Sequence, residues 1–335
     1  MADAIMSAAA AMLPECVAPW LATPMGELAV WDVLGTVAVF LLSVASGNSS
    51  WYDPYWSVVP PIAVVWLALK GGLDVTPSAL MEGDGGAWRL VVVTAIIWAW
   101  AYRLTANWIR RLGAELVSTT ARHGLRAAAH CEEDWRYKLI RTWFCGMTPV
   151  YWVLGSLGII HLFPTAMVFA GMLPLQYVTG NGGEVLPLGW LDAAGAALGV
   201  WGIFLEHSAD TTMDRFLAAS RPGPDGFRPV CREGLWGASR HPNYLGELAF
   251  WASIGCFGAA AGGADALWTL YGFAAMVALF VAASIPLMEA RSAKRRAGWR
   301  SYASSTAMLL PLSPRLLVSL LPGAAACARR PAKAD

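Results

Sequence analysis

Seven apolar stretches punctuate this chain, each near the roughly 20 residues that a helix needs to cross the hydrocarbon of a bilayer. They centre on Val30–Ser46, Ser57–Lys70, Trp88–Leu104, Met147–Val178, Leu188–Leu205, Leu248–Gly262 and Ala266–Met288. The pattern predicts an all-α, polytopic integral membrane protein of about seven transmembrane helices. Composition agrees: 57% of the 335 residues are hydrophobic and 14% are charged, too few to cover a water-facing surface when soluble domains carry about 25%. The 33 glycines and 18 tryptophans suit close helix contacts and anchoring rings at the membrane interface. Ser57–Lys70 and Leu248–Gly262 are short, so a tilted or partly re-entrant segment is the alternative at each. The fourth stretch carries Pro164 and Pro174, which can kink one helix or separate two.

Basic residues decide that ambiguity and orient the chain. One set runs Arg103, Arg110, Arg111, Arg122, Arg126, Arg136, Lys138, Arg141; a second Arg215, Arg221, Arg228, Arg232, Arg240; a third Arg291, Lys294, Arg295, Arg296, Arg300. The positive-inside rule assigns all three to the cytoplasm. An even number of crossings must then separate the first two sets. The fourth stretch is therefore expected to be one kinked span, with Asn181-Gly182-Gly183-Glu184 an external turn. Counting outward puts the N-terminus outside and the C-terminus in the cytoplasm, and leaves the acid-rich loop with Asp74, Glu82 and Asp84 outside.

The formal net charge of +1 exerts no global pull on nucleic acid. Cys16, Cys131, Cys145, Cys231, Cys256 and Cys327 form no CxxC pair, so neither a disulfide framework nor a metal site is expected. No basic region precedes the weak apolar run at the N-terminus, which makes it a poor signal peptide. The first true span is expected to direct the chain to its membrane, the endoplasmic reticulum in a eukaryote or the inner membrane in a bacterium. Neither a repeat nor a low-complexity linker interrupts the sequence. The expected organisation is an N-terminal segment 1–29, one membrane domain 30–312 and a cytoplasmic tail 313–335.

Polar residues gather at the cytoplasmic helix ends in four places: Glu132 through Lys138, Glu206 through Asp210, Arg240 through Glu247, and Glu289 through Tyr302. In the third, Pro242 suits the first position of a helix, where its fixed φ and missing N–H cost nothing. Arg240 and His241 then stand just ahead of a helix N-terminus, whose free N–H groups and dipole attract phosphate. Asn243 and Glu247, four apart, share one face, and Gly246 admits a close backbone or ligand. The plainer alternative is a capped, snorkelling helix start. Glu206, Asp210 and Asp214 recur every four residues and so share a face; they either pair with arginines as a clamp or hold ribose hydroxyls. His161 lies mid-span, as a packing residue or a buried donor. Asn48 through Trp56 is a polar-aromatic loop, an aromatic belt with a turn at Asp53-Pro54.

Gly234 through Glu247, read as GLWGASRHPNYLGE, followed by Trp251, resembles the C-terminal signature of the steroid 5-alpha-reductase family, in the branch known as a domain of unknown function. Three flanking elements agree: Glu132-Glu133-Asp134-Trp135-Arg136-Tyr137, then Glu206-His207-Ser208-Ala209-Asp210 with Phe216, then Tyr302 with Leu310-Pro311. The likeness runs from about residue 98 to 311. It implies NADPH-dependent reduction of a carbon–carbon double bond in a sterol-like or other lipid substrate. Asp210, Arg228, Asn243, Tyr244, Glu247 and Arg291 are then implied cofactor contacts, with Arg240 and His241 in the same block and Glu206 and Arg136 in the flanking elements. Thr212 stands where the branch often has Gln, and the acid and tyrosine of true steroid reductases have no alignable counterpart. Tyr52, Asp53 and Tyr55 are the candidate proton donors. More distant is the likeness to isoprenylcysteine carboxyl methyltransferases, which share R-H-P-x-Y-x-G and would imply S-adenosylmethionine. A non-catalytic membrane or lipid-binding protein of the same fold is the third possibility.

Overall fold

The computed structural model describes residues 5–8, 18–73, 76–224 and 226–310. Cys16, Asp74, Pro311, Cys327 and the segment 313–335 lie outside them. The described residues are mostly helical, and each of the seven apolar stretches is helical over most of its length. Four runs among them are long and apolar enough to cross a membrane: Pro24–Ser46, Gly85–His123, Pro149–Met172 and Pro242–Ala293.

Local chemistry explains where the helices begin and end. Helix α1 (Pro24–Ser46) starts with Pro24 in its first turn and the Thr23 hydroxyl accepting from the Gly26 N–H, and ends where Gly47 turns left-handed at φ 72°. Helix α2 (Asp53–Gly71) tolerates Pro60 and Pro61 and stops at Gly72, φ 71°. Helix α3 (Gly85–Trp108) is capped by the Asp84 carboxylate, which accepts from the Gly86 and Ala87 N–H groups. It runs on through a π-helical segment to His123, and only Gly124, φ 84°, halts it. Arg103, Arg110, Arg111 and Arg122 therefore ride a continuing helix, where the charge pattern alone reads as a loop. After α4 (Trp135–Thr142), helix α5 (Pro149–Met172) is one run, and the chain turns at Leu173 and Pro174 before a short helix Leu175–Val178. In α5 the π-helical segment Ser156–Leu162 precedes Pro164, where the hydrogen-bond ladder must shift because proline cannot donate. Helix α6 (Trp190–Ala219) outlasts its apolar part because nothing breaks it before Pro222, so Glu206, Asp210 and Asp214 all lie on it. Helix α7 (Pro242–Gly262) opens on Pro242 as expected, and Gly263, φ 57°, turns the chain before α8 (Leu270–Leu279). A π-helical segment, Phe280–Ser284, joins α8 to α9 (Ile285–Ala293), and α10 (Trp299–Ser305) follows.

The chain forms two compact units, one of residues 1–200 with 250–276 and the other of residues 201–249 with 277–335. In the first, Trp100 of α3 lies flat on Phe250, ring centroids 4.2 Å apart, and meets Trp251 edge-on. Arg89 is wholly buried and holds Asp192 through two bonds of 2.6 and 2.9 Å, while also donating to the carbonyls of Leu186 and Pro187. In the second unit, β1 (Arg228–Pro229) pairs in parallel with β2 (Arg296–Ala297), so Arg228 and Arg296 become register partners. Within that unit, α6 and α7 pack so closely at Gly246 that an added Cβ would sit 2.5 Å from Glu206 and 2.7 Å from the Gly202 carbonyl.

Candidate functional site

The second unit holds a cavity of about 540 Å³. Its wall comes from the end of α6 (Leu217), the following loop (Pro222, Gly226, Phe227, Arg228), α9 (Met288, Arg291, Ser292) and the turn into β2 (Arg295, Arg296). Four guanidinium groups thus meet around one space. The Arg228 Nη1 donates to the Leu217 carbonyl at 2.9 Å, a carbonyl that the end of α6 leaves without a helical partner. The Arg296 Nη1 is shielded from solvent and has no hydrogen-bond partner among the described residues. Burial, with Arg228 beside it, pushes the Arg296 guanidinium below its ordinary range.

The R-H-P block sits at the start of α7, bolted to the C-terminal segment. The Arg240 Nε donates to Glu289 at 2.7 Å, and its Nη1 donates to the carbonyls of Ala303 and Thr306. The Arg240 backbone N–H bonds the Ala307 carbonyl at 2.8 Å. His241 shares the same Glu289 oxygen at 3.2 Å and stacks on Tyr244 with the rings 9° from parallel. Burial lowers the His241 pKa, an effect that Glu289 opposes without reversing. The Tyr302 hydroxyl, pushed up to about 12 by burial, donates to the Trp236 carbonyl at 2.7 Å. Trp236 in turn donates to the Ala209 carbonyl of α6. The signature is therefore a scaffold around its own backbone, and Gly246 serves the approach of α6.

Of the residues expected to hold a cofactor, Arg228 and Arg291 line the cavity. Arg240, His241, Asn243, Tyr244, Glu247, Glu206 and Asp210 belong to the same unit but are not in its wall. Glu206 and Glu247 are buried and Asp210 is half-buried, so α6 emerges toward solvent along the carboxylate face read from its spacing. Arg295 and Arg296, read only as part of a basic stretch, are the cavity arginines the sequence did not single out. Arginines four and five places beyond Arg291 were the available signal.

Arg136 and the three candidate proton donors belong to the first unit, where the Tyr52 and Tyr55 rings lie 5.8 Å apart and each donor has different hydrogen-bond partners. Asp53 accepts from the Tyr137 hydroxyl at 2.5 Å and from Arg136 at 3.1 Å. Arg136 also binds Asp134, which burial pushes up but Arg136 holds below the ordinary carboxylate range. Ser49 N–H donates to Glu133, and Asp134 N–H donates to Ser50. The loop 48–53 and the element 132–137, two separate clusters in the sequence, are thus one clamp. The Tyr52 side chain of that loop bonds elsewhere. Its hydroxyl lies 2.8 Å from Thr165, which lies 2.8 Å from Thr36, and its ring meets His161 edge-on. Tyr55 donates to the Asp32 carboxyl at 2.8 Å. Asp32 went unread, although a lone carboxyl within an apolar span is the standard sign of a functional or paired group. His161 bonds the Ser156 carbonyl and Ser43 on its two ring nitrogens.

Comparison with known proteins adds a family and one distant relative. The model of the family described as protein of unknown function (DUF1295) matches residues 39–306. An uncharacterized protein of the fission yeast Schizosaccharomyces pombe is 24% identical over 298 residues, 83% of this chain and 77% of that protein. No solved structure matches.

Proposed function

Because the chain belongs to the DUF1295 family, whose description leaves the activity open, we propose that it is a membrane-embedded reductase that uses NADPH to saturate a carbon–carbon double bond in a sterol-like or other lipid substrate. One observation carries the reading. Arg228 and Arg291, which the likeness to steroid 5-alpha-reductases names from distant parts of the sequence, face the same cavity beside two further arginines.

The donor set suits a phosphorylated nucleotide. Guanidinium forks match phosphate geometry. The sulfonium cation of S-adenosylmethionine would meet like charge there, so the four arginines favour the reductase over the methyltransferase. Bound NADPH would supply the hydride. The chain's own residues would bind it through its phosphates and keep a proton ready for the other carbon. Tyr52, whose hydroxyl is buried against Thr165, is the candidate for that proton. Under a seven-span arrangement with the N-terminus outside and the C-terminus in the cytoplasm, residues 215–240 and 289–302 face the compartment that holds soluble NADPH. A lipid substrate would enter from the bilayer.

Thermal unfolding of the purified protein in detergent micelles tests this. NADPH at a hundred times its Kd is expected to add about 2.7 kcal/mol of stability, and Arg228→Gln or Arg291→Gln to remove most of the effect. Stabilisation by S-adenosylmethionine alone would sink the reductase. Stabilisation by neither leaves the lipid-binding role.

A further inference from the structure

We propose that a groove between α1 and α2 is a lipid site that selects a phospholipid with a zwitterionic headgroup, its phosphate on Lys70 and its ammonium on Glu27. The inference is independent of the reductase reading.

The groove lies in the first unit and encloses about 460 Å³. The Lys70 ammonium meets the Glu27 carboxylate at 3.0 Å, which sets the first turn of α1 beside the last turn of α2. Helix spacing then layers the wall. Trp31 and Trp66 each stand four residues further into their helices than Glu27 and Lys70, so they share the same face about 6 Å deeper. Ile62 follows one turn below Trp66, and Leu28 and Met6 complete the apolar part. The order is charge, then indole, then aliphatic. Helix α1 is apolar and long enough to cross a bilayer, so its first turn belongs at the level of the headgroups. Indoles belong at the interface where the acyl chains begin, and aliphatic side chains below it. A phospholipid presents the same succession of groups along its length.

Charge decides the headgroup. Among the described residues the wall holds one acid and one base. An anionic lipid would satisfy Lys70 but meet repulsion from Glu27, whereas a headgroup of both signs satisfies both. The existing pair does not stand in the way. The Lys70 and Glu27 side chains are 40% and 27% exposed, and an ion pair so solvated contributes little by itself. A phosphate oxygen can join Lys70 and an ammonium can join Glu27 without the loss of a strong bond. Lys70 also lies 4.8 Å from the centre of the Trp66 ring, a cation–π contact that keeps its ammonium at the groove. Trp31, itself partly exposed, sets a second indole one turn from the place of the lipid ammonium.

Native mass spectrometry of the purified full chain tests the site. The chain is released from micelles holding equal amounts of phosphatidylethanolamine, phosphatidylcholine and phosphatidylglycerol with matched acyl chains. The wild type is expected to retain one molecule of either zwitterionic lipid about fivefold more often than phosphatidylglycerol, the most that a partly exposed ion pair supplies. Glu27→Gln removes the repulsion and is expected to raise phosphatidylglycerol to the level of the other two. Lys70→Gln removes the contact common to all three phosphates and is expected to lower the retention of each. Equal retention of the three lipids by the wild type, or an unchanged preference in Glu27→Gln, overturns the proposal and leaves an ordinary aromatic girdle with a surface ion pair. A wild type that prefers phosphatidylglycerol overturns it as well. Free phosphoethanolamine carries the same charges without the chains, so it is expected not to displace the lipid. Displacement by it would make the groove a site for a soluble ligand and overturn the lipid. Should either variant fail to fold, the wild-type ratio by itself decides.

Discussion

At the scale of single residues, the buried charges divide by what surrounds them. Arg89 and Asp192 form a bidentate pair whose remaining donors reach backbone carbonyls, so both charges are satisfied without solvent. Removing one partner strands the other. Arg89→Met is expected to destabilise the protein by about 3–5 kcal/mol, and adding Asp192→Leu to restore most of that, as read by unfolding in micelles. Asp53 leans on Tyr137 in the same way. Tyr137→Phe is expected to cost about 1–3 kcal/mol, because it withdraws a hydroxyl from a buried carboxyl. Under the proposed function, Tyr52→Phe behaves differently, abolishing turnover while NADPH binding survives. His241 gives a pH signature. Its folded pKa lies below the ordinary 6.5, so the unfolded chain binds the extra proton and acidification through that value removes stability. The melting temperature is expected to fall between pH 7.5 and 5.5, and His241→Gln to flatten part of that slope (comparison with the wild type isolates this ring from the other histidines).

At the scale of elements, glycines and helix ends govern what can meet. The approach of α6 to α7 requires a bare Cα at Gly246, since the obstructing Gly202 carbonyl is backbone and cannot rotate away. Gly246→Ala is expected to lose about 1–3 kcal/mol, the range for overpacking, whereas Gly158→Ala, with nothing near its Cβ, is expected to be neutral by the same unfolding assay. The end of α6 shows how an element builds the site. Its last carbonyls need donors, Arg228 supplies one, and that bond fixes an arginine at the cavity wall. The strand pair Arg228–Arg296 then brings the second guanidinium beside the first.

At the scale of the whole molecule, four long apolar helical runs among the described residues establish a protein suited to the bilayer. The seven-span proposal is checked by sidedness. In a variant without its native cysteines, Glu184→Cys and Arg221→Cys are expected to react with an impermeant thiol reagent from opposite faces of the membrane. Labelling of both from one face would refute the count.

The all-α character, the positions of the apolar helices and the opening of α7 at Pro242 were legible from sequence alone. They depend on local quantities: the length of an apolar run, the lack of a proline N–H, the freedom of a glycine. Helix continuation was less legible, because the basic residues after Leu104 suggest a loop while the backbone has no reason to stop before Gly124. The fate of each charge was not legible at all. Arg240, Arg89 and Arg296 are alike in sequence, yet one braces Glu289 and the C-terminal carbonyls, one neutralises Asp192, and one lines a basic cavity with its Nη1 unpartnered among the described residues. A guanidinium's role is set by the groups that come within about 3 Å of it. Those groups lie far away along the chain, and only the tertiary structure decides which of them arrive.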